Sequence, residues 1–173
     1  VAVASNFTAP MKKIAAAFER DTGHRARLSF ASTGRLYAQI QHGAPFDVLL
    51  AADDQIPAQL VAQGQALASS RFTYAIGQLV LWSSQPGVVD AEGQVLRRGG
   101  YDRLALADPK LAPYGAAAVE AMTRLGVWTA WQPKAVYGEN IAQTQQFVAT
   151  QNAPLGFVAM SQVFAEGRLT EGS

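Results

Sequence analysis

Four short stretches carry residue types that can hold an anion without a cationic side chain: Ser5-Asn6, Ser32-Thr33, Pro113-Tyr114-Gly115 and Asn140-Ile141. Each stands where a strand-like run gives way to a helix-like one. A helix start offers unpaired backbone N–H groups and the positive end of the helix dipole. Hydroxyls and an amide add neutral donors. Such a set suits a fully ionised tetrahedral oxyanion, which offers only acceptors. Taken singly, each junction reads first as an ordinary helix N-cap, and spacing alone does not bring the four to one place. Asp53, also between a strand and a helix, reads more strongly as an N-cap than as a ligand; a carboxylate beside the anion would favour a ligand that still carries a proton. His24 and His42 each adjoin a helix-ending glycine and read as surface residues. Trp82, Trp128 and Trp131 read as packing residues. The chain has no Gly-x-Ser-x-Gly, no phosphate-binding loop with its lysine, no His-Glu-x-x-His and no Gly-x-Gly-x-x-Gly, so nucleophilic, metal-dependent and dinucleotide chemistry lack motif support.

Composition narrows the function further. The chain has 173 residues, 49% of them apolar and 16% charged, with a formal net charge of +1. That is enough for one large domain or two small lobes with a core, and it lacks the clustered basic excess of a nucleic-acid binder. The adjacent basic pairs, Lys12-Lys13 and Arg97-Arg98, read as solvated surface. There is no cysteine, which excludes a thiolate metal site, a cysteine nucleophile and a disulfide framework. No apolar run approaches a membrane span. The chain opens on strand-like residues with no signal peptide, as a mature exported protein or a trimmed chain would.

The elements that must position the four stretches follow from periodicity. Val1 to Ala4 reads as a buried parallel strand. A helix over about Ala9 to Asp21 carries Met11, Ile14, Ala15 and Phe18 as one apolar stripe, with Pro10 in its first turn and Gly23 as its stop. Ala26, Leu28 and Phe30 alternate in a second strand, and a helix with Leu36, Tyr37 and Ile40 follows. Asp47 to Ala51 is a third strand, of the continuous apolar kind found in covered parallel sheets. The next helix carries Ile56, Leu60 and Val61. Three β-then-α units in 64 residues predict a doubly wound α/β lobe. Phe72 to Trp82 is the longest strand-like run, interrupted at Gly77-Gln78, and is expected to cross from a first lobe, residues 1–76, to a second, residues 77–173. Pro86 to Gly100 reads as a surface excursion. The β-α rhythm then returns: a strand at Leu104 to Ala107, a helix at Ala116 to Leu125, a strand at Ala135 to Tyr137, a helix with Phe147 and Val148, a strand at Leu155 to Ala159 and a helix around Val163-Phe164. Glu166 to Ser173 reads as a polar loop cut short.

The ordered series Ala4-Ser5-Asn6-Phe7, Phe30-Ala31-Ser32-Thr33-Gly34, Gln39 to Val48, Ala51-Ala52-Asp53, Leu79-Val80-Leu81, Asp108 to Gly115 and Gly156 to Ala159 resembles the periplasmic molybdate-binding proteins of ATP-driven importers. The resemblance runs over essentially the whole chain. It implies a two-lobed periplasmic-binding-protein fold of type II, each lobe a mostly parallel sheet flanked by helices, closing on molybdate or tungstate in an inter-lobe cleft. It implies oxyanion contacts from Ser5, Asn6, Ser32 and Thr33, and from the backbone N–H groups of Tyr114 and Ile141. It implies no catalysis, cofactor or metal cation; partners would be the oxyanion and a membrane permease, with no nucleic acid, for a monomer in the periplasm. Many members place a tyrosine hydroxyl where this chain has Ala159, as a subgroup does, and Asn6 is the expected compensating donor. Members also continue past the position of Ser173, so a C-terminal part that returns to the first lobe is expected to be missing here. Other readings are a receptor for sulfate or another tetrahedral oxyanion, the ligand-sensing domain of a transcription regulator, and a small hydrolase using Ser5 or Ser32, for which the sequence offers no base.

Overall fold

A computed structural model of the chain describes residues 1–165 and 167–173. They form two compact units, Val1–Ile76 and Gly77–Ser173.

In the first unit, β1 (Ala2–Ala4) leads through a 3-10 turn (Ser5–Phe7) into α1 (Thr8–Thr22). β2 (Ser29–Ala31), α2 (Thr33–Gln41), β3 (Leu49–Leu50) and α3 (Gln55–Ala62) follow. The three strands form one parallel sheet in the order β2-β1-β3, in register Ala4 opposite Ala31 and Val3 opposite Leu50. Central β1 is small and apolar because it is covered; Ala2, Val3 and Ala4 are buried. Gly23 closes α1 in the left-handed conformation, its N–H on the Glu19 carbonyl.

The α1 stripe differs from expectation. Met11 is buried, but Ile14 and Phe18 are 50% and 45% exposed. A three-residue strand is roughly 10 Å long and a fifteen-residue helix about 22 Å. The sheet of this unit covers only one end of the stripe.

The second unit holds β4 (Leu79–Trp82), α4 (Val95–Arg98), β5 (Leu104–Ala107), α5 (Pro113–Arg124), α6 (Trp128–Trp131), β6 (Ala135–Gly138) and α7 (Ile141–Ala149). It ends with β7 (Gly156–Ala159), the single turn α8 (Met160–Val163), β8 (Phe164–Ala165) and β9 (Arg168–Leu169). Its main sheet has the order β4-β7-β5-β6. β5 lies parallel to both its neighbours, and β4 is antiparallel to β7. The core gathers Leu104, Leu106, Ala118, Met122, Trp131, Leu155 and Phe157 on one side and Trp82, Val148, Val158 and Val163 on the other. The two-sided burial of a central parallel strand explains the unbroken apolar run of β5.

Four expectations are corrected. The long strand Phe72 to Trp82 is only Leu79–Trp82, because its ladder partner β7 runs out opposite Leu79, at Ala159, where the chain turns into α8. Phe72 and Ile76 are exposed. Pro86 to Gly100 is not just a surface excursion: Val95 and Leu96 enter the core and the buried Trp131 indole N–H donates to the Leu96 carbonyl at 2.8 Å. The last helix ends at Val163, and Phe164 begins a strand that pairs with β9, Phe164 opposite Leu169. Glu166 lies outside the described residues; the rest of the polar tail is held in place. Ser173 exchanges two backbone hydrogen bonds with Ser83, and the Trp82 indole donates to the Glu171 carbonyl.

Candidate functional site

In the first unit, parallel pairing does what sequence spacing could not. Because Ala4 lies opposite Ala31, the residues that follow, Ser5-Asn6 and Ser32-Thr33, leave the sheet at the carboxyl ends of adjacent strands. That edge is where ligands sit in open α/β sheets. Ser5, Ser32 and Thr33 are all buried. Thr33 Oγ1 accepts from the Ala52 N–H at 3.0 Å, which ties the start of α2 to the end of β3 and leaves the hydroxyl proton to be donated elsewhere. Ser32 takes the N-cap position of α2, but its side chain makes no cap hydrogen bond. Its Oγ is buried with no hydrogen-bond partner among the described residues. A stranded buried hydroxyl costs about 1–3 kcal/mol, so this oxygen has the character of a group kept for a ligand. Ahead of α3, where Asp54 holds the N-cap position without a side-chain bond, Asp53 Oδ1 accepts from the Ile56 N–H at 2.8 Å.

In the second unit, β5 and β6 are adjacent, Ala107 opposite Gly138, and α5 and α7 start from their carboxyl ends. Pro113 occupies the first turn of α5 and has no N–H. Gly115 and Ala116 direct theirs to the Ala112 carbonyl at 2.9 and 3.2 Å. The leading N–H of this turn is therefore that of Tyr114. Gly115 lets the turn approach β5 closely, since a Cβ there would stand 2.1 Å from the Ala107 carbonyl oxygen.

At α7, Asn140 is a true N-cap. Its Oδ1 accepts from Ala142 N–H at 2.9 Å and Gln143 N–H at 3.1 Å. That assignment leaves the N–H of Ile141, the first helical residue, outside the cap. The carbonyl of the same Asn140–Ile141 peptide accepts from the Thr144 hydroxyl at 3.0 Å and the Thr144 N–H at 3.1 Å. Two bonds on the carbonyl polarise the amide and make its N–H a stronger donor. Ala159, at the end of β7, is buried and supplies no polar side chain.

The structure thus groups Ser5, Asn6, Ser32 and Thr33 within the first unit, and sets Tyr114 and Ile141 on adjacent strand ends of the second. His24 and His42 are exposed and stand apart from both groups; the His42 ring lies on the Ala38 carbonyl of its own helix. Among the described residues no cluster of three or more His, Cys, Asp or Glu side chains could hold a metal ion, and no helix is long and apolar enough to cross a membrane.

The sequence reading passed over Gln162. Its Oε1 accepts from the Ala159 N–H at 2.9 Å and its Nε2 donates to the Ile141 carbonyl at 3.0 Å. A glutamine three residues after a strand-ending position is the available signal, being half of a capping box.

Against known proteins, residues 1–171 match the family model for bacterial extracellular solute-binding proteins. The molybdate-binding protein ModA of Azotobacter vinelandii is 58% identical over the whole of this chain and 69% of its own length. That of Rhodobacter capsulatus is 51% identical over 95% of this chain and 65% of its own length. The chain therefore spans about two thirds of the curated relatives it matches. Among solved structures, a periplasmic molybdate-binding protein of Azotobacter vinelandii superposes with a TM-score of 0.94 at 42% identity, over 99% of this chain and 75% of that one.

Proposed function

Because the chain belongs to the bacterial extracellular solute-binding protein family, we propose that it is a receptor for molybdate or tungstate that serves an ATP-driven importer and does no catalysis. The observation that carries the reading is the buried Ser32 hydroxyl, without a hydrogen-bond partner among the described residues, at the strand edge it shares with Ser5, Asn6 and Thr33. The relatives named for molybdate supply the class of ligand.

In this reading the first unit offers a dianion hydroxyls and an amide, and the second offers the Tyr114 and Ile141 N–H groups. Burying a dianion is costly unless its oxygens are satisfied, and oriented neutral donors meet that cost without a counter-charge. The ligand favours the conformation that binds it in proportion to its differential affinity, and that is the form a membrane permease in the periplasmic setting would select. The contact set contains no carboxylate, and Asp53 is engaged in capping. A protonated anion such as hydrogen phosphate would find no carboxylate to accept its proton, only the weaker hydroxyl and amide oxygens. Sulfate, with the same shape and charge as molybdate but shorter bonds, is disfavoured by reach: donors set for the larger ion fall short of the smaller one.

Calorimetric titration with molybdate, tungstate and sulfate at neutral pH tests this reading. One-to-one binding of the first two with little heat from sulfate is expected. Replacement of Asn6 or Thr33 by Ala is expected to weaken binding by about 1–3 kcal/mol each. Sulfate binding as tight as molybdate, or unchanged affinity in both variants, would overturn it.

A further inference from the structure

Gln162 does more than a cap requires. α8 is a single turn, and closing it needs only an acceptor for the Ala159 N–H, which Oε1 provides. The second bond, from Nε2 to the Ile141 carbonyl, reaches across 21 residues of sequence to a different helix. Its target is the residue whose N–H leads α7. Both ends of the link are fixed in the interior, since Ile141 and Ala159 are buried. The carboxamide itself is half-buried. Only a side chain that both accepts and donates can make this link, and a carboxylate or an apolar group of the same length cannot.

We propose that Gln162 is a positioning residue for the anion site: its carboxamide ties the end of β7 to the first residue of α7 and holds the Ile141 N–H in place for the ligand. The inference rests on the reading of Ile141 as a ligand contact. It assigns to β7 a contribution made through backbone, at the very position where the side chain, Ala159, has nothing to offer. Asn140 and Thr144 fix the peptide before Ile141, and Gln162 fixes the carbonyl after it, so the residue is held from both sides.

The test uses Gln162→Met and Gln162→Glu, with molybdate as the probe. Gln162→Met keeps the length and loses both bonds; about tenfold weaker binding is expected, the equivalent of one to two ordinary hydrogen bonds, with a melting temperature a few degrees lower because the buried Ala159 N–H loses its acceptor. Gln162→Glu keeps the acceptor, loses the donor and adds a charge, so it is expected to bind more weakly still at neutral pH. When protonated, its carboxyl again accepts and donates. Its affinity should therefore recover towards that of the unsubstituted protein as the pH is lowered from about 8 to about 5, where a half-buried carboxyl facing the Ile141 carbonyl takes up its proton. In the ¹⁵N-labelled protein, the Ile141 amide proton should move on adding molybdate, and move less in Gln162→Met.

Affinity unchanged in Gln162→Met would overturn the proposal, even with Gln162→Glu impaired, because charge alone would then explain the latter. Absence of recovery at low pH would overturn it as well, and this arm decides if Gln162→Met does not fold. If the unsubstituted protein binds molybdate but its Ile141 amide does not move, the contact reading itself fails and the positioning role with it.

Discussion

In the proposed site the two units of this chain use the same strand-to-helix junction in different chemical ways. The first presents side chains: Ser5, Asn6, Ser32 and Thr33 lie at the carboxyl ends of β1 and β2. The second presents backbone: Tyr114 and Ile141 lead α5 and α7, and their apolar or aromatic side chains are buried. Packing differs in the same direction. Among the described residues the sizeable apolar side chains buried in the first unit are Val3, Met11, Leu36 and Leu60, while the second buries two clusters around Leu106 and Val158. Ile14, Phe18, Val48, Leu67, Phe72 and Ile76 all stay exposed in the first. A backbone donor is as accurate as the helix that carries it, so it belongs on a well-buried sheet. A side-chain donor brings its own rotamer and can sit on a thinner one.

The largest effect that tests this contrast is in the second core. Leu106→Ala, at a fully buried site of β5, is expected to cost about 2–5 kcal/mol of stability, read by chemical denaturation. Hydrogen exchange should be slowest in β5 and faster in β2 and β3. Equal protection of the two sheets would break the comparison.

Next comes the kind of donor. Thr33→Val removes a hydroxyl and strands the Ala52 N–H; molybdate binding should weaken by about 1–3 kcal/mol. Ile141→Val keeps the backbone donor and should leave affinity within roughly twofold, with a stability loss of about 0.5–1.5 kcal/mol. If Ile141→Val weakened binding as much as Thr33→Val, the division between side-chain and backbone donors would be wrong.

An effect of similar size is expected at Gly77, where a Cβ would stand 2.0 Å from the Tyr114 hydroxyl. Gly77→Ala should destabilise by about 1–3 kcal/mol, the usual cost of overpacking, and adding Tyr114→Phe should restore part of it. A thermal-melt double-mutant cycle with no coupling would show that the ring does not depend on the glycine.

The smallest effect is electrostatic. The Asp90 carboxylate accepts from the backbone N–H of Gln94 and then of Val95 and Glu92, and pairs with Arg98, which together outweigh partial desolvation and hold its pKa below the ordinary 3.8. A depressed carboxyl contributes its stability above the unfolded value and loses it as pH falls through the folded one. Asp90→Asn should therefore lower the melting temperature at neutral pH, and the gap to the unsubstituted protein should close below about pH 4. A gap that stays constant down to acid would assign the loop's stability to something other than the charge.

Much of this was legible in the residues. Ala2 to Ala4 and Leu104 to Ala107 are strands because small or branched apolar residues run without a polar break. Pro113 and Asn140 announce helix starts, because one lacks an N–H and the other caps with its side chain. Gln162 was not legible as more than half a cap, because its second partner is 21 residues away. Asp53 was readable as a cap from its place alone, and Oδ1 accepts from Ile56 as that place requires.

The sequence by itself determined the elements, their order and the residue types at each junction, because these depend on neighbours within one helical turn or one strand pleat. Only tertiary structure decided which junctions meet. Pairing Ala4 with Ala31 set Ser5 and Ser32 side by side, and the end of β7 at Ala159 cut the strand before Leu79 short. It also turned Val95 and Leu96 inward beneath Trp131, in a stretch that reads as surface. Such outcomes depend on where a distant part of the chain returns, and no local pattern of hydrophobicity records that.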